Sequence, residues 1–280
     1  MNKFSLNESS IAYEDDYLLI IDKPAGMLVH PTVNEWGCTL YDYVTEYYAR
    51  KNITANIHPV SRLDRHTSGL VIFAKEPIIQ HWLSQQQMDK EYLAIVTGEL
   101  PSDEGIIEAP IARKEGSIIE RCVDEKGKYA KTSYKLLSKR NGLSLVQLKL
   151  FTGRTHQIRV HMAHLGHPVA GDMVYGNDKK SAFLNGQCLH AIKIGFVHPI
   201  NIGAVRSIQL GIGIQTEVKV LIVKIHAGGQ NTFLQQADHI ASVQITAIQV
   251  VIVAGVHVVD MMSVHNRAVH HALLKHCFNL

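Results

Sequence analysis

The chain has 280 residues, 46% hydrophobic and 19% charged, with a formal net charge of +3 and a pI near 8.6. That is the composition of a soluble globular protein of one large or two small domains, and it does not by itself announce a nucleic-acid binder, which needs only a local basic patch. Cys38, Cys122, Cys188 and Cys277 are far apart with no C-x-x-C, which argues against a disulfide framework or a zinc ribbon and suits a reducing cytoplasm. The first ten residues lack the apolar core of a signal peptide, and apolar stretches beyond residue 200 are broken by His, Gln and charged residues. No membrane span is expected.

In chain order, Ile11–Asp22 reads as strand, turn and strand, with the turn at Glu14, Asp15 and Asp16. Lys23-Pro24-Ala25-Gly26 is a turn, because Pro presets φ and Gly permits the awkward position. Met27–His30 is expected to return as a short strand. Leu40, Tyr43, Val44, Tyr47 and Tyr48 recur at helical spacing within Cys38–Lys51, with Thr39 placed as N-cap. These tyrosines read as the buried face of a helix rather than a base-stacking platform.

The stretch His58–Lys75, HPVSRLDRHTSGLVIFAK, is the one the rest serves. It places Asp64 between Arg62 and Arg65, then Thr67, Ser68 and Gly69, then an apolar run Leu70–Ala74 that reads as a buried strand. Flanking cations favour an ionised carboxylate. On the tetrapeptide alone, a surface turn with a local ion pair is the simpler account.

Glu76–Met88 reads as a helix with Pro77 in its first turn. Lys90–Gly98 reads as a strand, and Tyr92 within it suits a core aromatic. Residues 101–128 read as hairpins and loops. Ala130–Leu137 and Gly142–Leu150 form an antiparallel pair turning through Arg140-Asn141-Gly142. A second functional string runs from Thr152 to Gly176, TGRTHQIRVHMAHLGHPVAGDMVYG. Thr155 is expected to cap a helix His156–Leu165 that ends at Gly166, with Arg154 and Arg159 near its start. His161, His164 and His167 invite a metal reading, but H-E-x-x-H is absent and His167 falls beyond the helix-ending glycine. Packing and hydrogen bonding suit them better, and no metal is expected. From 201 to 280 there are eight charged residues, and no amphipathic period or helix cap is evident. Two readings stand: a divergent or artefactual extension, such as a frameshifted reading frame, or a small β-rich appendage through Val218–Ile225 and Ile248–Val253.

Taken together, these strings resemble the RluA-type pseudouridine synthases. Arg62, Leu63, Asp64, Thr67, Ser68 and Gly69 fill the R-L-D-x-x-T-S-G core of that family. DKPAGMLVHP from Asp22 looks like its first motif, KEYLAIVTG from Lys90 is similar to K-x-Y-x-A-x-V-x-G, and GRTHQIR from Gly153 to G-R-[ST]-H-Q-[IL]-R. Leu189-His190-Ala191 and Gly195–Pro199 resemble its last core strand. Ser61 and His66 depart from the commonest form, at positions that carry no chemistry. The resemblance implies an α+β fold: a mixed, mainly antiparallel sheet with flanking helices and a central cleft. Residues 1–200 would form the catalytic domain and 201–280 an atypical extension, and the short lead-in leaves no room for an S4-like domain.

It implies Asp64 as nucleophile, Arg159 as its ionic partner, and Tyr92 against the flipped uracil with a part in proton removal. Arg62 would enter the RNA stack. Arg65 and Arg154 would contact RNA, and Lys23 would support the loop with an RNA contact of its own. The expected partner is RNA, large-subunit ribosomal RNA first and transfer RNA second, handled by a cytoplasmic monomer with no cofactor. Two other classes stay open: an inactive RNA-binding module using the same cleft, and a metal-dependent hydrolase using the histidines.

Overall fold

The structure, a computed structural model, describes residue 6, residues 10–33, 35, 37–176 and 186–198, and the backbone of two further strands at 204–212 and 219–227. Strands β1 (Ile11–Glu14) and β2 (Leu18–Lys23) form the expected first hairpin. Residues 27–30 do not form the expected strand. The carbonyls of Leu28 and Val29 instead accept from the amides of Leu40 and Tyr41, at 2.8 and 3.0 Å. A segment that satisfies the orphan amides of a helix N-terminus has no carbonyls left there for a ladder.

That helix is α1 (Leu40–Lys51). Thr39 and Asp42 close a reciprocal capping box, and Asn52 ends the helix in the left-handed conformation. Leu40, Tyr43, Val44, Tyr47 and Tyr48 are its buried face, so these tyrosines are core. Next come β3 (His58–Pro59), β4 (Ser68–Ala74) and α2 (Pro77–Ser84). Helix α2 stops short of Met88. Gln86 is drawn off to bond the backbone of Val197 through both ends of its amide, at 2.9 and 3.1 Å.

Along β2, Leu19 and Ile21 pack with α1, while Leu18 and Ile20 pack with Ile79 and Leu83 of α2. The two-residue period of a strand therefore places the helices on opposite faces of the sheet. It also explains why Leu70–Ala74 is continuously apolar: both faces are covered. Leu70, Val71, Ile72 and Phe73 each contribute about 1.5–3 kcal/mol through burial.

The remaining elements are β5 (Asp89–Thr97), β6 (Glu104–Glu108), the small β7–β8 hairpin (Ile111–Arg113 and Arg121–Val123), β9 (Lys131–Arg140), β10 (Leu143–Leu150), α3 (Gln157–His164) and β11 (Leu189–Val197). Asn141 and Gly142, both at positive φ, turn β9 into β10. Strands β12 (Ala204–Ile212) and β13 (Lys219–Ala227) add antiparallel beyond β11, so backbone pairing continues past residue 200. The strand-like run at 248–253 lies outside the described residues.

The sheet runs β1-β2-β4-β11-β5-β10-β9-β6, with β3 beside β4. Its pairs are antiparallel except β4 with β11. That parallel contact covers just two rungs, His190 with Ser68 and Ala191 with Gly69. Farther along, the same edge of β4 is taken by the incoming chain: His58 pairs with Ala74, Pro59 with Phe73, and Val60 donates to Ile72. The edge of β4 thus forks, and the loop 62–67 sits in the fork.

Candidate active site

Asp64 lies at the crest of that loop. The fork behind it demands glycine at position 69: φ there is +110°, and a Cβ would meet the backbone oxygen of Ala191 at 2.3 Å. The loop is closed locally by the amide of Thr67 donating to the carbonyl of Asp64 at 3.1 Å. Thr67 Oγ1 accepts from Gln187 Nε2 at 3.0 Å, and Ser68 Oγ bonds His190 Nδ1 at 2.8 Å, tying the loop to the start of β11.

Lys23 holds the loop from behind. It has no exposed surface, and its ammonium donates to the carbonyls of Met27, Pro24 and Arg65 at 2.7, 2.9 and 3.0 Å. Burial pushes its pKa down to about 8, and Arg65 adds to that, while Asp64 and Asp22 oppose it. The expected RNA contact from Lys23 is therefore corrected. Its donors are spent on backbone and its side chain cannot reach solvent. Arg65 also departs from the simple picture of two cations flanking Asp64. Its guanidinium forks onto the carboxylate of Glu35, one bond at 3.0 Å, while its carbonyl receives Lys23 and the amide of Gly26.

The cation that does reach Asp64 comes from α3. Arg159 Nη1 donates to Asp64 Oδ2 at 2.9 Å. Its Nε and Nη2 grip both oxygens of Asp172 at 2.7 and 2.8 Å, and its guanidinium lies 5.0 Å from the centre of the Tyr175 ring. Burial works against the guanidinium charge, but the hydrogen bonds and charges of Asp172 and Asp64 outweigh it and hold the group above its ordinary range. Asp172 is the mirror case. Burial pushes its carboxyl up, and Arg159 with the amides of Val174 and Tyr175 pulls it below its ordinary value.

The helix starts differently from the sequence expectation. Thr155 is not its cap. His156 occupies the cap position at φ 58°, and it is the side chain of Gln157 that reaches back to the Arg154 amide at 2.9 Å. Gln157 also bonds Thr152, Lys131 and Thr132, so the helix entry is pinned to β9. Thr155 Oγ1 instead accepts from Arg62 Nη2 at 3.3 Å.

Arg62 is exposed beside Asp64, and Arg154 is exposed with its Nε on the Tyr129 carbonyl at 2.9 Å. Tyr92, on β5, is 9% exposed and packs in one cluster with Leu63 and Ile158. Burial raises its hydroxyl pKa, and the charge of Asp64 raises it further. Asp64, Arg159, Tyr92 and Arg62 are thus brought to one place, and Lys23 and Arg65 to the back of the loop. His161 is fully buried between Thr132 Oγ1 and the Ala109 carbonyl, and His167 bonds the Thr97 carbonyl, so these rings serve separate packing sites. Asp172, Tyr175 and His156 went unassigned in the sequence. The available signals were the GDMVYG string for Asp172 and Tyr175 and the GRTHQIR string for His156.

The sequence profile described as RNA pseudouridylate synthase matches residues 17–164. The chain is 42% identical over 200 residues to the uncharacterized RNA pseudouridine synthase YhcT of Bacillus subtilis, covering 69% of this chain and 65% of that protein. It is 39% identical over 208 residues to the ribosomal large subunit pseudouridine synthase D of Zymomonas mobilis, covering 68% and 65%. It is 41% identical over 177 residues to the mitochondrial tRNA pseudouridine(32) synthase of Saccharomyces cerevisiae, covering 60% and 37%. The matches to the first two span just under two thirds of those relatives' own length. In fold, the chain is similar to human RNA pseudouridylate synthase domain containing 1, with a TM-score of 0.60 at 20% identity over 86% of this chain and 98% of that one.

Proposed function

The chain belongs to the RNA pseudouridylate synthase family, and from that premise we propose that it isomerises uridine to pseudouridine in structured RNA, with Asp64 as nucleophile. One observation carries the reading: Asp64 is partly exposed at the fork of the sheet, and Arg159 is bonded to one of its oxygens. A carboxylate bonded to a buried guanidinium is held in a fixed direction, with its other oxygen left toward the cleft.

The target base is stacked, so it must be flipped out before attack. Exposed Arg62 stands beside Asp64 to fill the gap. Asp64 attacks the ribose or the base, and the bond between N1 and C1′ breaks. The uracil turns against Tyr92, C5 bonds to C1′, the bond to Asp64 breaks and frees its carboxylate, and the proton on C5 leaves to solvent while N1 takes one up. Tyr92, kept neutral by burial, offers a ring face to the turning base. Arg154 contacts the flanking phosphate. The reaction is a redox-neutral isomerisation that calls on no cofactor. Residues 1–200 carry the chemistry in a cytoplasmic monomer, with 201–280 as an extension. Large-subunit ribosomal RNA is the proposed substrate, as the name of the Zymomonas relative suggests, and transfer RNA is the competitor.

The test is tritium release from RNA labelled at C5 of uridine, on each RNA class, for wild type and Asp64→Asn. We expect release from ribosomal RNA and a loss of at least about a thousandfold in the variant. Release from transfer RNA alone would overturn the substrate, and undiminished release in Asp64→Asn would remove Asp64 from its role. Tight binding of both RNAs without release would point to a binding module.

A further inference from the structure

Two chains of contact converge on one oxygen of Asp64. Arg159 is the first. The second begins at Arg121, whose backbone amide donates to the Tyr175 hydroxyl at 2.9 Å. That hydroxyl lies 2.7 Å from His156 Nδ1, with the two rings edge to face at 5.6 Å. The far nitrogen, His156 Nε2, is 3.7 Å from Asp64 Oδ2. The oxygen it faces is the one that Arg159 holds at 2.9 Å. Among the described residues, no hydrogen bond falls on Asp64 Oδ1.

This chain favours one tautomer. The Tyr175 oxygen accepts from the Arg121 amide, and the acceptor in reach of its own hydrogen is His156 Nδ1. The ring hydrogen then resides on Nε2 and faces a carboxylate, the arrangement electrostatics also favours. A separation of 3.7 Å is one step beyond a hydrogen bond, and catalytic bonds commonly tighten when substrate fills the site. The backbone supports a built position. His156 is held at φ 58°, a conformation few residues other than Gly adopt, and His, Asn and Asp are among those that do.

We propose that His156 is a second positioning residue for the catalytic carboxylate: with its tautomer set by Tyr175, it presents Nε2–H to Asp64 Oδ2, so that with Arg159 it loads that oxygen and leaves Oδ1 to attack. This rests on Asp64 being the nucleophile.

The arrangement has a pH signature. The groups facing the ring are Asp64, Arg159, Arg121, Asp172 and Tyr175. Burial, with Arg159 and Arg121, outweighs Asp64 and Asp172, so the ring protonates below the ordinary 6.5. Above that point the neutral ring donates one N–H. Below it, a second proton arrives on Nδ1, displaces the Tyr175 hydrogen bond, and turns His156 into a cation paired with the nucleophile. Activity should therefore fall as pH drops through the His156 pKa.

The experiment compares wild type, His156→Asn and Tyr175→Phe. Asn keeps the left-handed backbone but cannot reach Asp64. Single-turnover rates and KM on the RNA that wild type modifies, from pH 5 to 8, should show kcat down roughly 10- to 100-fold in His156→Asn, as for other displaced catalytic groups. KM should stay within about twofold and the wild-type acid limb should be gone. The ring nitrogen shifts of His156 in the free protein, read by NMR, should report Nε2–H in wild type and a mixture in Tyr175→Phe. Wild-type kcat and an intact acid limb in His156→Asn would overturn the proposal, as would an Nδ1–H tautomer in wild type. The shifts need no substrate. A wild type that shows Nε2–H but modifies no RNA therefore overturns the synthase reading and leaves the ring placement standing.

Discussion

Two segments meet over the oxygens of Asp64, and they are held by opposite physics. The loop that carries Asp64 is held by a buried cation on neutral partners: Lys23 donates to the carbonyls of Pro24, Met27 and Arg65, and among the described residues no carboxylate contacts its ammonium within hydrogen-bonding range. The segment that carries Arg159 is held by full charges, because Asp172 matches the guanidinium with both oxygens. Carbonyl dipoles fix a backbone but cannot neutralise an ammonium, so Lys23 pays for its burial in pKa. A carboxylate neutralises its partner, so Arg159 stays fully charged where a charge is needed beside Asp64. One anchor serves shape, and the other serves electrostatics.

The largest expected effect breaks the charged anchor. Asp172→Ala strands Arg159 in the interior with Asp64 as its remaining anion, and should cost roughly 3–5 kcal/mol in chemical denaturation, the usual penalty for removing one member of a buried pair. Asp172→Asn keeps the outline and should cost less while still lowering turnover. The pH sign is fixed by the direction of the shift. The folded carboxyl titrates below the ordinary 3.8, so the stability it supplies is present above that value and is lost as pH falls through the folded one. A denaturation midpoint for Asp172→Ala close to wild type would mean that the segment is not held by charge.

This anchor was also the least legible part of the sequence. Helix α1 could be read because its signals are local: Thr39 at its start, and apolar residues recurring on one face. The turn at Asn141-Gly142 and the doubly covered strand β4 were legible for the same reason. Asp172 was not, because its meaning comes from Arg159, 13 residues away across a turn. Lys23 sits in a string that reads locally as a turn, and its burial appears only when Arg65, 42 residues on, supplies a carbonyl. Met27–His30 has strand-like residues whose carbonyls a helix start claims, and Thr155 has the right chemistry for a cap that Gln157 takes over from inside the helix. In each case a partner distant in sequence, or a competing donor, overrode a sound local preference.

The neutral anchor should answer at the other end of the pH scale. Folded Lys23 titrates at about 8 and the unfolded side chain near 10.5. Between those values the unfolded state holds more protons, so this group makes stability rise with pH. Lys23→Met removes that slope. The stability of wild type minus that of the variant should climb by roughly 2–3 kcal/mol from pH 8 to 10.5. Equal slopes in the two proteins would mean that the ammonium is not penalised by its burial, and the contrast with Arg159 would fail.

The smallest effect sharpens the comparison on its weaker side. Besides the pair that Asp64 makes with Arg159, the Asp64 loop carries an ion pair of Arg65 with Glu35, but both side chains are partly exposed, at 41% and 26%. Solvent screens such a pair, and holding two long side chains in register costs entropy. Glu35→Gln should therefore destabilise by less than about 1 kcal/mol, and the difference should fade in 1 M salt, where the screening length is roughly 3 Å. The Arg65 carbonyl, which receives Lys23 and the Gly26 amide, is untouched by the substitution. If Glu35→Gln instead costs as much as Asp172→Ala, the loop too is held by charge, and the division of labour between its two sides would have to be redrawn.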